Sequence, residues 1–189
     1  MNHRLRSVCV PSSLFVAVLI LSGCASHSTG EANMGAALEA RLTRLEAEAD
    51  RQEIERLMHA YAHGIDSMDM DLLRRTFAPD ARAEYRGLNF PMHEDLAGVE
   101  QIIGWLNKSV GGRKKGEPWH YMSTHLIELE PGADEATLQT FQHNRTMGGI
   151  GVYTLNAIRT PQGWRIKKLR LEERILDDAL LKRLNSSAP

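Results

Sequence analysis

Three features of the chain predict an α+β fold. The front half carries apolar residues at helical spacing: Ile54, Leu57, Met58, Tyr61 and Ile65, then Leu96, Val99, Ile102, Ile103 and Leu106. The back half, from His120 to Ile175, is a series of alternating runs. These are cut by Pro131-Gly132, Gly148-Gly149 and Pro161-Gln162-Gly163, all turn-forming sequences suited to hairpins. Helices followed by an antiparallel meander place the helices over one face of a curved, mostly antiparallel sheet.

The N-terminus predicts an appendage. Residues 1–7 hold Arg4 and Arg6 and no acid, and an apolar run follows from Val8 to Leu21. Spanning a bilayer takes about 20 apolar residues, so this run is too short for a transmembrane helix and matches a secretory signal. It ends Leu21-Ser22-Gly23-Cys24, which resembles the lipobox of bacterial lipoproteins. That resemblance implies removal of residues 1–23, diacylation of Cys24, and anchoring in the cell envelope. Ala25 in the next position points to the outer membrane, facing the periplasm. Cys9 would leave with the signal, so Cys24 would be the only cysteine of the mature chain, with no disulfide, cysteine metal site or catalytic thiol.

Residues 25–34, ASHSTGEANM, read as a flexible tether. From Gly35 the composition turns to helix formers, and Leu38, Leu42, Leu45 and Ala49 form a stripe compatible with a homodimer contact. A long N-terminal helix is expected from here to His63, with the domain ending near Leu184. Gly64 should loosen that helix, and Asp69 is a natural cap for a short second one. Pro79-Asp80 reads as a turn into a strand over 81–85, residues 87–95 as loop, and GGRKKGEP at 111–118 as a basic loop. The 23 Lys and Arg against 24 Asp and Glu leave a net charge of −1, which gives no electrostatic case for nucleic acid.

The stretch Arg51–Ala81 organises the chain. Its helix carries a phenol, Tyr61, and a carboxylate, Asp66, where a simple core helix would place apolar groups. Asp69 already serves as a cap, so Asp66 has no evident structural task. Tyr61 reads equally as a core residue with its hydroxyl bonded at a sheet edge.

The run Ile54-x2-Leu57-x3-Tyr61-x4-Asp66-x2-Asp69, followed by Phe77-Ala78-Pro79-Asp80-Ala81, resembles the SnoaL-like branch of the nuclear transport factor 2-like superfamily. Gly98-Val99-Glu100, His120 and the closing Gly163-Trp164-Arg165-Ile166 also fall where that family would put them. The resemblance implies a cone, in which a strongly curved, mostly antiparallel sheet wraps around helices and leaves a cavity at its wide end. Relatives include bile-acid 7α-dehydratases, scytalone dehydratase, lindane dehydrochlorinase and polyketide cyclases. By resemblance the catalytic candidates are Tyr61, Asp66 and His120, with His143 and Arg170 (or Lys168) as substrate-binding candidates; strand parity adds His125 as a substrate-binding candidate and as the runner-up inward histidine to His120.

Those residue types suit elimination or isomerisation. Histidine can take a proton from an activated carbon, a carboxylate can fix its tautomer, and a phenol can protonate a substrate oxygen. No metal or organic cofactor is required. The expected ligand is a small, largely apolar molecule. The alternative is a non-catalytic lipoprotein that binds a ligand or partner in the same pocket. One conflict stands within the sequence: strand alternation puts Tyr121, His125, Ile127 and Leu129 on one face and His120 on the other, unless a bulge re-aims His120. Thr124-His125 also replaces the Asn-Pro of many relatives.

Overall fold

The computed structural model describes residues 24–111, 118–144 and 148–186, with side chains from Asn33 onward. Residues 1–23, where the sequence predicts a signal, and most of the basic loop therefore lie outside the described residues. Elements run α1 (Cys24–Ser67), α2 (Met70–Thr76), β1 (Phe77–Gly87), β2 (His93–Ala97), α3 (Val99–Val110), β3 (His120–Glu128), β4 (Glu135–Asn144), β5 (Gly149–Thr160), β6 (Gly163–Ile175) and α4 (Asp178–Ser186). The chain divides into a unit of residues 1–42 and a unit of residues 43–189, and the sheet belongs to the second.

Residues 24–34 form the opening turns of α1 and not a separate tether. They contain no proline, and Ala, Glu and Met favour helix. Leu38, Leu42 and Leu45 are exposed. Farther along, Ile54, Leu57, Met58, Tyr61 and Ile65 are buried as their spacing predicts.

Gly64 does not loosen the helix, which continues to Ser67. Its role is space: a Cβ at this position would lie 2.7 Å from Cγ of the fully buried Leu73. The short helix α2 thus packs directly on the α1 backbone, with Asp69 capping it through a 2.8 Å bond from Leu72 N–H.

The sheet order is β2-β1-β6-β5-β4-β3. β3 to β6 form the expected antiparallel meander, while β1 pairs parallel with β6 and antiparallel with β2. Three local expectations change. β1 begins at Phe77 and carries Pro79-Asp80 inside it, at a register break between Phe77 and Arg82. Asp80 ion-pairs with Lys167 across that break. Residues 93–97, assigned to loop and helix, form edge strand β2, and α3 starts only at Val99 after Gly98, whose φ of 86° suits glycine.

The far side of α1 is tied to the β5–β6 hairpin. Asp50 accepts two bonds from Arg159, at 2.6 and 2.9 Å, and one from the indole N–H of buried Trp164 at 3.0 Å. The Arg159 guanidinium also stacks over that indole, 4.7 Å from its centre.

The inner face of the sheet changes character along its length. Toward the β5–β6 turn, inward positions are Leu138, Leu155, Ala157, Ile166 and Leu169, all buried. Toward the other end they are Thr140, Gln142 and Asn144 on β4, Gly149, Gly151 and Tyr153 on β5, and Glu173 on β6. Gln142 pairs with Gly151, and Gly151 in turn with Glu173, so these polar groups form a row across three strands. The glycines make the room: a Cβ at Gly149 would lie 2.6 Å from the Glu173 carboxylate, and one at Gly151 3.1 Å from the Gln142 amide.

Two predictions follow from this packing. Gly64→Ala gains helix propensity worth about 1 kcal/mol, but overpacking against Leu73 costs about 1–3 kcal/mol. A net loss of stability is expected in chemical denaturation; an unchanged or raised midpoint would refute the packing role. Glu173 is 4% exposed, and burial raises its carboxyl above the usual range despite the hydrogen bond from Gln142. A raised folded-state value means its stabilising contribution is complete below the unfolded value of about 4.3 and is lost as pH rises through the folded value. Glu173→Gln keeps the shape without that titration. Its melting temperature relative to wild type should therefore climb as pH increases from about 4 to 8, and a difference that stays flat across that range would contradict the account.

Candidate active site

The last turn of α1 delivers Asp66 to the start of β3. One carboxylate oxygen lies 2.8 Å from Nδ1 of His120, while the other accepts the backbone N–H groups of Trp119 at 2.9 Å and His120 at 3.2 Å. Both side chains are largely buried, at 7% exposure for His120 and 15% for Asp66. Burial pushes the Asp66 carboxyl up, yet the His120 and Trp119 hydrogen bonds outweigh it and hold the group below the usual carboxylate range. An ionised carboxylate only accepts, so Nδ1 of His120 carries the proton that joins them. In the neutral ring the free lone pair then sits on Nε2.

The parity conflict in β3 is resolved by a bulge. Thr124 has a φ of 55°, unusual for a β-branched residue, and the β3–β4 register slips between Ser123 and Leu126. Before the bulge His120 and Met122 are the partly buried positions; after it they are His125 and Ile127. Both histidines therefore face inward. His125 does not join Asp66, however. Its Nε2 lies 3.3 Å from Nε2 of His59 on α1, and burial lowers its imidazole below the ordinary value.

Tyr61 is buried beside the pair, its ring 6.3 Å from that of His120 and edge-on to it. Its hydroxyl is 3.1 Å from that of Tyr85, and its ring centre is 5.4 Å from Tyr153. Burial, first of all, keeps all three phenols well above their usual range, so they stay protonated and able to donate. The row of Gln142, Asn144 and Glu173 adjoins them on the sheet. Oε1 of Gln142 is buried with no hydrogen-bond partner among the described residues.

Tyr61, Asp66 and His120 are thus brought together. His143 and Arg170 are not. β4 alternation turns Gln142 and Asn144 inward and His143 outward, where it lies against Tyr121. Arg170 and Lys168 project from the outer face of β6; Arg170 pairs with Glu172 and Glu84. Tyr85, Tyr153, Gln142 and Glu173 were missed. Glu173 had a signal: it follows Leu169 and Leu171 in strict alternation, so a carboxylate stands at an inward position. The backbone of Cys24 opens α1, but its side chain lies outside the described residues.

Three surface clefts lie elsewhere: one of about 590 Å³ beside Arg51, Leu129 and Asn156, one of about 370 Å³ beside Arg82, Leu96 and Lys168, and one of about 430 Å³ beside Arg86 and Phe90. None includes Asp66 or His120.

Comparison with known proteins fits this geometry. A Mycobacterium tuberculosis protein of uncharacterised function is 26% identical over 144 residues, 70% of this chain and 91% of the relative. A nuclear transport factor 2-like protein with a cystatin-like fold from Novosphingobium aromaticivorans superposes with a TM-score of 0.51 at 25% identity, covering 78% of this chain and 94% of its own. A second protein from that organism, provisionally named a scytalone dehydratase, gives a TM-score of 0.52 at 22% identity, covering 68% and 85%. The SnoaL-like domain model matches residues 46–170, from four residues before Asp50 to the outward Arg170 on β6. That span takes in Tyr61, Asp66 and His120 and most of the chain, and the protein belongs to the SnoaL-like domain family.

Proposed function

We propose that the protein is a cofactor-free lyase or isomerase of the dehydratase type, acting on a small, largely apolar molecule. The observation that carries this is the Asp66–His120 pair, an imidazole whose Nδ1 is fixed by an ionised carboxylate. Such a ring can accept a substrate proton at Nε2, with Asp66 stabilising the imidazolium that forms. The C–H electron pair then forms a C=C bond to the neighbouring carbon as that carbon loses its hydroxyl or halide, a departing hydroxyl taking up a proton to leave as water. Tyr61 or Tyr153, protonated and buried, can donate to the departing or carbonyl oxygen. The unpartnered Gln142 oxygen offers an acceptor for a substrate hydroxyl; left unmet, a buried polar atom costs about 1–3 kcal/mol.

The setting we propose is the bacterial envelope, with a lipid on Cys24 anchoring the chain. Its support is the sequence alone: the basic start, the short apolar run and the small residues before Cys24. A non-catalytic binding role is the second reading. It is favoured by one contact: the Tyr61 hydroxyl already has a partner in Tyr85.

The test is a substrate screen read by mass spectrometry and proton exchange in D2O, using β-hydroxy ketones, phenolic ketones and halogenated cyclohexanes. Loss of a general base typically costs about 10²–10⁴-fold, so His120→Ala should lower kcat/KM on any substrate found by that range. Asp66→Asn should lower it too, because an amide no longer compels the same tautomer. A compound turned over at the wild-type rate by His120→Ala would overturn the catalytic assignment. Compounds bound equally by both proteins and never converted would favour the binding role.

A further inference from the structure

We infer that Glu55, His59 and His125 form a zinc-type metal site that joins α1 to β3, separate from the Asp66–His120 pair. Glu55 and His59 stand one helical turn apart on α1 and so share a face. His125 is turned toward them by the Thr124 bulge. The potential ligand atoms of the three residues all lie within 4.8 Å of one another.

The distances suit a metal site. The two Nε2 atoms are 3.3 Å apart. Zinc–nitrogen bonds of about 2.0–2.1 Å at the tetrahedral angle place two ligand nitrogens roughly 3.3–3.4 Å apart. The Glu55 oxygen is 3.9 Å from each nitrogen, and this half-exposed side chain is free to close the remaining gap. Nδ1 of His125 is buried with no partner among the described residues, so Nε2 is the only ring nitrogen of His125 with a polar contact. Two histidines and one glutamate make a recurring zinc donor set, which leaves a fourth position for water. His59, about half exposed, puts that position at the surface.

Charge sets this cluster apart from a second one. Glu84, His93 and Asp95 also converge, but Arg86 already supplies a cation there, paired with Glu84 and Asp95 and bonded to His93. Among the described residues, Glu55 has no ion-pair partner except the two imidazoles. A divalent ion would complete this group and would be redundant in the other.

The experiment uses the full chain with Cys9→Ser and Cys24→Ser, which removes thiol ligands, stripped with chelator and titrated with zinc chloride by calorimetry at neutral pH. One zinc per chain with a dissociation constant of about 10 μM or tighter is expected, weakening by about tenfold or more in His59→Ala and in His125→Ala. His93→Ala should leave it unchanged. Cobalt substitution should give the visible bands of a four-coordinate ion in the parent and lose them in both variants. Circular dichroism in chelator shows whether each variant folds, and the exposed His59→Ala keeps the test meaningful should His125→Ala unfold. Absence of stoichiometric binding below about 100 μM, or binding that survives His59→Ala in a folded chain, would overturn the site.

Discussion

Asp66 is the joint on which the site depends. One carboxylate accepts three N–H groups, two from the backbone at the start of β3 and one from the His120 ring. The two backbone bonds end an exposed-edge strand against the C-terminal turn of a helix, which satisfies donors that no neighbouring strand reaches. The third locks an imidazole. A single side chain therefore ties the start of β3 to the helix and orients the imidazole together, and its ionised state serves both. Asp50 performs a comparable service at the opposite end of the same helical stretch, where it takes bonds from Arg159 and Trp164. Between these two carboxylates α1 lies along the inner face of the sheet at a defined height, and Tyr61 is delivered to a fixed position between Tyr85, Tyr153 and His120.

The sheet supports this by dividing its inner face into two regions. Leucine, isoleucine and alanine fill the end near the β5–β6 turn and hold the core. The other end, with phenols, amides and a raised carboxyl, would be a poor core by itself. Buried polar groups stabilise only where their partners are met. Gly149 and Gly151 keep this region from being overfilled, because any larger residue would meet Glu173 or Gln142. The apolar end thus supplies stability that the polar end does not.

Local signals in the sequence were sufficient for much of this. Helical spacing located the buried face of α1 and the turn sequences located the hairpins, whereas Asp66, which has no evident structural task in the sequence, has one in the fold, where it accepts two backbone N–H groups at the start of β3. Non-local facts were not legible. The parallel pairing of β1 with β6 joins residues 86 to 89 positions apart, such as Arg82 with Lys168 and Phe77 with Ile166, and nothing in either strand announces its partner. β2 is five residues long, and of its two inward positions one is Glu94 and only Leu96 is apolar, so its alternation does not show in the sequence. His143 and Arg170 rest on the family resemblance, and strand parity places both on the outer face. Glu173 was available by that same parity and was overlooked because a charged run, Glu172-Glu173-Arg174, reads as a solvated surface. Glu55 and His59 read along the chain as a polar helix face, and only His125, brought in from β3, gathers them into a cluster.

Thr124 divides β3 into two half-strands of opposite phase. Each half is held by a different part of α1, the first through Asp66 and the second through His59. A change of one residue in length at the bulge would invert the phase of one half while the other stayed pinned, exposing His125 and Ile127 without disturbing His120. The two contacts are thus mechanically independent although they share a strand and a helix. A lineage could acquire or lose either one by a single-codon insertion or deletion, with the rest of the sheet left in register.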